Sequence, residues 1–249
     1  MSLEQLRTDL EDSGFNLSGT LSPLRFDSLV PEAWKSQRHS PGCRGILVVG
    51  NGGRALWSAL ERSPEATLRD HPLDRYTARV VREAADSVPA PVGIGLYWER
   101  RDNQYLPMMK LAEEAGLGSP GRLGILLHPV FGPWLAVRAL LYLPFSVADG
   151  EPQRFAPCNG CPAPCATACL GQVVHESGLD PSGCFRTRVL KSACRVGCAA
   201  RSACVVGPEH AYPPRQLEHH QRIRWRPSVL GHALRTLIAD PLGRGRGAS

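Results

Sequence analysis

Leucines at positions 3, 6 and 10 recur at three- and four-residue steps within residues 2–14, which predicts a short amphipathic helix capping the main core and stopped by Gly14. Gly45-Ile-Leu-Val-Val-Gly50 is a continuous apolar run bounded by glycines and predicts a buried strand. Asn51-Gly-Gly-Arg54 then turns the chain into a helix over 55–62. A second helix is expected over 74–87, with Tyr76, Val80, Val81 and Ala84 on one side. After the break at Pro89 and Pro91, residues 92–98 read as another strand. A helix over 106–115 ends at Gly116, and strands over 123–127 and 135–143 flank a tight turn at 130–134. Helices and strands therefore alternate as far as Pro144, the pattern of an alpha/beta start.

The pattern changes behind Pro144. Asp149-Gly-Glu-Pro152 reads as a linker, and eight of the nine cysteines then fall between Cys158 and Cys204, where large apolar residues are few. A bound metal rather than a core is expected to hold this part together. Two units follow, residues 1–148 and residues 149–249. Cys158-Asn-Gly-Cys161-Pro-Ala-Pro-Cys165-Ala-Thr-Ala-Cys169 has the spacing of thiolate ligands to an iron-sulfur cluster, with Gly160, Pro162 and Pro164 keeping the backbone in turns. The second group, Cys184, Cys194, Cys198 and Cys204, is looser. Pairs such as Cys158/Cys161 and Cys194/Cys198 also suit tetrahedral zinc. Four disulfides fit less well, because Met1-Ser-Leu-Glu-Gln5 is not the basic-then-apolar opening of a secreted chain. Cys43 stands apart and reads as a buried free thiol.

Composition narrows the function classes. The chain has 249 residues, 43% of them hydrophobic, and a net charge of +6. The longest apolar stretch, around 135–147, is interrupted by Arg138 and Pro144, so no membrane span is expected and the protein is expected to be cytoplasmic. Arg222, Arg224, Arg226, Arg235, Arg244 and Arg246 form a basic tail that suits a solvated face or an anionic partner. Gly50-Asn-Gly-Gly53 lacks the order of a phosphate-cradling loop and reads as a strand-to-helix turn. Glu209 and His210 stand next to Cys204 and suit shielding of a cluster or a surface turn; His219 and His220 read as a solvated pair. Tyr97, Trp98 and Tyr105 suit core packing, with Tyr97 and Tyr105 also testable as proton donors.

The segment Leu127-His-Pro-Val-Phe-Gly-Pro-Trp-Leu-Ala-Val-Arg138 resembles the His-Pro-x-(Phe/Tyr)-Gly-x-Trp signature of the cobalamin-binding superfamily. That superfamily holds the CblC-type cobalamin-processing proteins, epoxyqueuosine reductase and the reductive dehalogenases. Ala115-Gly-Leu-Gly118 with Gly121 looks like the glycine turn of the epoxyqueuosine reductase branch. His71-Pro-Leu-Asp-Arg75, Phe131, Trp134 and Arg138 are closer to the CblC branch. The resemblance covers about residues 20–145, with the cysteine unit attached behind as in the reductases.

It implies an α+β fold, a nitroreductase-like sheet domain followed by a ferredoxin-like module, holding base-off cobalamin over a cavity. Gly116, Leu117, Gly118 and Gly121 would then line the corrin, because a flat ring approaches main chain closely only where no side chain intervenes. Trp134 would pack against it and Arg138 would meet an anionic group, while His128 is either a cofactor contact or a histidine satisfying local backbone. The cysteines would hold one or two [4Fe-4S] clusters. In the usual ferredoxin arrangement Cys158, Cys161 and Cys165 take a distant fourth thiolate and Cys169 serves a second cluster. The chain departs from the reductase motif in its stretched third gap and in Leu170, which stands where a proline is usual. The implied activity is an iron-sulfur, cobalamin-binding reductase fed by a ferredoxin or flavodoxin and acting on a small molecule or tRNA. A ferredoxin-like carrier without cobalamin and a zinc-stabilised cobalamin chaperone are the alternatives.

Overall fold

The longest apolar runs pair with each other. In the computed structural model, which describes residues 2–223, strand β2 (Gly45–Gly52) lies between β1 (Leu17–Leu21) and β4 (Leu135–Leu143), and β3 (Gly93–Leu96) closes the far edge of β4. All three pairings are antiparallel, and a register shift at Val49/Gly50 marks a bulge in β2. The alternation of helices and strands thus does not build a parallel sheet, and the architecture is the α+β class.

Every residue of β2 is buried, because both faces of the sheet are covered. Leu47, Val49 and Leu141 face helices Leu3–Asp12, Ala55–Glu61 and Pro72–Asp86. Ile46, Val48, Leu140 and Tyr142 face the opposite way, onto Phe26, Trp34 and Leu111. Alternate side chains thus reach two cores, which is why β2 reads as a solid apolar run. Each fully buried leucine stabilises the fold by roughly 1.5–3 kcal/mol.

Three elements differ from the sequence pattern. Strand β1 carries Ser18, Gly19 and Thr20 and has no apolar run, yet it pairs along β2 because Gly19 lets helix Met108–Glu114 end against it; a Cβ there would lie 2.1 Å from the Ala115 carbonyl oxygen. The helices Pro23–Asp27 and Ser36–His39 are single turns with no periodicity to read. The strand expected over 123–127 shrinks to Leu126–Leu127, which pairs with Ser119–Pro120 around Gly121.

An ion pair ties the 3₁₀ turn Pro64–Thr67 to helix Pro72–Asp86: Arg79 Nε donates to Glu65 at 2.6 Å. The hydrogen bond from Arg79 holds the Glu65 carboxyl down from an ordinary 4.5 to about 2. A depressed folded-state value stabilises above the ordinary value and loses that stabilisation as pH falls toward the folded one. Stability is therefore expected to drop between about pH 4.5 and pH 2. Glu65→Gln should flatten that part of the profile, measured by urea midpoints across the range.

The segment after β4 does not hang free. Gly150 N–H donates to Thr20 O at 2.7 Å, and the Ser22 hydroxyl donates to Asp149 at 3.1 Å, so the linker runs along β1. The cysteine unit then folds as short helices, Pro164–Ala168, Pro181–Leu190, Ala193–Val196 and Ala199–Ser202, followed by Pro214–Gln221. Among its described residues the buried apolar side chains are Cys165, Val173, Val174, Ala200 and Tyr212, joined by Leu123 of the sheet domain, far too little to offset the ordering of so many residues. Of the basic tail, Arg222 is exposed; Arg224, Arg226, Arg235, Arg244 and Arg246 lie outside the described residues. Among the described residues no helix is long and apolar enough to cross a membrane.

Candidate metal centre

The eight clustered cysteines are all free thiols and fall into two sets. Cys158, Cys161, Cys165 and Cys204 share the lining of one small cavity with Leu123, Leu127 and Val206. Burial pushes the Cys165 and Cys204 thiols up; Cys204 and Cys158 add to this at Cys165, as do Cys158 and Cys161 at Cys204. Burial likewise raises Cys184 and Cys194. Cys198 and Cys169 add to the rise at both, and Cys194 to that at Cys184, while Arg188 opposes it at both and Lys191 at Cys194. The second set is therefore Cys169, Cys184, Cys194 and Cys198. Cys165 and Cys169 bracket one helical turn but serve different sets.

Gathering four thiols where each raises the next is unfavourable for thiolates unless cations neutralise them. Several groups fit the first set to a cluster. Arg122 N–H donates to Cys158 Sγ at 3.3 Å, and backbone hydrogen bonds at Ala166 and Val206 reach Cys165 and Cys204. Such donors stabilise the reduced, more negative form of an iron-sulfur centre. Among the described residues no three His, Cys, Asp or Glu side chains are drawn up around a single ion.

The first set is closed against the sheet domain. A Cβ on Gly132 would lie 1.9 Å from the Val206 carbonyl oxygen, so only glycine, at φ +53°, allows the two units to meet here. The same turn explains His128. Its Nδ1 accepts from Val130 N–H at 3.0 Å and Phe131 N–H at 3.3 Å, so the ring serves the local backbone. Burial first, and His210 second, hold its pKa below the ordinary value. His210 packs on Phe131 at 4.7 Å rather than on a cysteine.

Beside the first set lies a buried seam. Trp134 and Arg138, 1% and 5% exposed, meet Arg201 of the cysteine unit and Tyr212 and His220 behind it. The Arg201 guanidinium lies 4.8 Å from the Trp134 ring centre and 4.7 Å from that of Tyr212, and its Nε donates to Pro133 O at 3.1 Å. Tyr212 and His220 rings stand 5.3 Å apart. Burial, then Arg138, His219 and Arg201, push His220 down to about 2, so its imidazole is neutral. Arg138 Nε donates to Asn51 Oδ1 at 3.3 Å, and its charge faces the Tyr97 ring at 5.6 Å. Among the described residues no carboxylate pairs with it. Asn51 Nδ2, Trp134 Nε1, Tyr212 OH, Gln216 Oε1 and His220 Nε2 are buried without a hydrogen-bond partner. Tyr97 connects the seam outward: its hydroxyl donates to Asp74 at 2.6 Å, and Asp74 meets His71 Nδ1 at 3.0 Å. Burial pushes Tyr97 up to about 12. His71, Asp74 and Trp98 line an open cleft of about 660 Å³.

The turn that the resemblance sets against a corrin packs closely on neighbouring chain. A Cβ on Gly116 would meet Glu151 O at 2.5 Å, one on Gly118 would meet Leu127 O at 2.6 Å, and one on Gly121 would meet Leu127 Cδ1 at 1.9 Å. Leu117 is buried. Here these residues make close chain-to-chain contacts, while Trp134 and Arg138 lie together at the seam. Sequence reasoning missed Arg201, Tyr212 and the burial of His220, since nothing local marks a distant arginine or tyrosine as a neighbour of Trp134. Tyr105 is exposed and lies outside the seam.

No protein-family model matches the sequence, and no curated protein matches it. Solved structures do. The epoxyqueuosine reductase of Streptococcus thermophilus superposes with a TM-score of 0.53 at 10% identity, over 83% of this chain and 66% of that one. An epoxyqueuosine reductase with a tRNA-Tyr epoxyqueuosine-modified stem loop gives 0.53 at 13%, over 91% and 68%. A catabolic reductive dehalogenase in complex with 3-bromo-4-hydroxybenzoic acid gives 0.55 at 17%, over 96% and 36%. The likeness is one of fold, and this chain spans about two thirds of the reductases and about a third of the dehalogenase.

Proposed function

We propose that this protein is an iron-sulfur oxidoreductase in which two [4Fe-4S] clusters serve an acceptor at the Trp134–Arg138 seam, with base-off cobalamin as that acceptor. The observation that carries the reading is the division of eight thiols into two sets of four, one of them closed against the sheet domain beside the seam. The fold shared with epoxyqueuosine reductases and reductive dehalogenases supports it, and the sheet domain is read as nitroreductase-like. Clusters supply electrons one at a time, and cobalamin supplies a low-valent cobalt centre.

The chain's own residues suit such a ligand by chemistry. Cobalamin is rimmed with amide carbonyls and carries one phosphate, all acceptors. The seam offers unpartnered donors at Asn51 and Trp134, a hydroxyl at Tyr212 and an unpaired buried cation at Arg138. Tyr212 packs on Trp134 at 5.3 Å and His220 of helix Pro214–Gln221 packs on Tyr212, so a corrin-sized ligand at Trp134 has to displace them. Reduction also consumes protons. Tyr97, bonded to Asp74 and through it to His71 at the open cleft, holds a proton at the seam and has a route to replace it. The substrate is a small molecule or a tRNA, the latter supported by the neighbour with a tRNA stem loop.

The test is anaerobic purification followed by iron and sulfide analysis and a visible spectrum before and after cob(II)alamin. A brown protein that shifts added cobalamin to the base-off spectrum is the expected result. Brown protein without corrin binding would leave a ferredoxin-like carrier. Colourless zinc protein that binds corrin would leave a chaperone.

A further inference from the structure

The outer cysteine set sits in a surface of unusual character. Between Pro181 and Val196 the chain carries Arg186, Arg188, Lys191 and Arg195 and no Asp or Glu. Helix Pro181–Leu190 has no buried residue, and its end passes into an exposed run over 190–193. Large apolar side chains stand out of this surface: Leu190 is 61% exposed, Val196 55% and Leu170 45%. They belong to one patch, because Lys191 Nζ donates to the Leu170 carbonyl at 2.5 Å and Arg195 donates to Val189 O at 3.4 Å. Cys169, Cys184, Cys194 and Cys198 of the outer set lie at or beside these residues and are all partly exposed. The inner set lies on the side of the sheet domain, where Leu127 and Val206 share its lining and the turn at Gly132 meets Val206, while Cys158 and Cys161 also border an open cleft.

An exposed apolar centre with a basic border has the anatomy of a transient protein interface, and its charge selects the partner. We infer that the surface of Leu170, Leu190 and Val196, bordered by Lys191 and Arg195, is the docking site of an acidic one-electron carrier protein. This rests on the proposed iron-sulfur reading, because the patch is useful for electron entry only if the outer set holds a cluster. On docking, the carrier would give up one electron to a cluster held by Cys169, Cys184, Cys194 and Cys198, with no bond made or broken. Position sets the direction, since the outer set borders the patch and the inner set packs against the sheet domain beside the seam.

The experiment uses the whole cluster-loaded protein and a flavodoxin as the acidic probe. Affinity is measured by titration calorimetry at low and high salt, and the rate of cluster reduction by photoreduced flavodoxin is followed by stopped flow. Lys191→Glu with Arg195→Glu is expected to weaken binding at least tenfold and slow reduction to match at low salt. Both differences should shrink at ~0.5 M salt, where the screening length falls to a few ångströms. Leu190→Ser should weaken binding at both salt concentrations. Arg62→Glu, on the sheet domain, should change neither. Dithionite, a small reductant, should bleach every variant as it bleaches the parent, which reports that the clusters are intact. Unchanged affinity in both the charge-reversed and Leu190 variants, with clusters intact, overturns the docking site. A protein that carries no iron and sulfide overturns the iron-sulfur reading itself, and the docking site falls with it.

Discussion

Replacing Cys204 by alanine is expected to remove about half of the iron, roughly four of the eight atoms that two [4Fe-4S] clusters contain. Cys204 is the sequence-distant member of the inner set and shares its cavity with Cys158, Cys161 and Cys165. Cys169→Ala should remove the other half, although Cys169 is only four residues from Cys165. The two sets make the combinations diagnostic. Cys165→Ala with Cys204→Ala strikes one centre twice and should cost no more iron than either change alone. Cys169→Ala with Cys204→Ala strikes both centres and should leave almost none. Iron and sulfide analysis with the anaerobic visible spectrum reads the outcome. If the run Cys158 to Cys169 bound a single cluster by itself, Cys204→Ala would keep its iron and the assignment would be wrong. Folding should follow the metal. The cysteine unit buries few apolar residues beyond Leu123, Val174 and Ala200, so loss of both centres should make residues 158–204 sensitive to protease while the sheet domain resists.

Arg138→Met is expected to raise stability and weaken ligand binding at the seam. The guanidinium is 5% exposed, its Asn51 partner is 3.3 Å away, and among the described residues no carboxylate balances it. Holding an uncompensated charge out of water is costly even after the protein relaxes around it. Methionine matches the stem and removes the charge, so the urea midpoint should rise. Cobalamin affinity, followed by the base-off spectrum, should fall at least tenfold, because the seam loses its strongest donor to a phosphate or amide oxygen. This is the pattern of a residue kept for binding at the expense of stability. A large loss of stability with unchanged affinity would show that Arg138 is structural.

Most of the helix and strand content was visible along the chain. The 3.6-residue spacing of Leu3, Leu6 and Leu10 and the solid run Ile46 to Val49 each report a local environment, and local periodicity survives without knowledge of neighbours. Strand β1 was invisible for the opposite reason. Ser18, Gly19 and Thr20 form a strand because β2 offers them a hydrogen-bonding edge and Ala115 requires a glycine opposite. His128 was ambiguous until the turn back to Gly132 supplied two backbone N–H groups within reach of its Nδ1.

The candidate site divides along the same line. Cysteine type and spacing alone pointed to soft-metal chemistry, since the chain's intent to gather thiolates is written in consecutive residues. The resemblance around His128 to Arg138 likewise rests on contiguous residues and pointed to the fold that the solved reductases share. That Cys204 lines one cavity with Cys158, Cys161 and Cys165, that the sheet is antiparallel throughout, and that Arg201, Tyr212 and His220 meet Trp134 and Arg138 were matters for the tertiary structure. Those are pairings between residues tens of positions apart, fixed by how two units pack at Gly132 and Gly207, and no local pattern encodes a distance between distant segments.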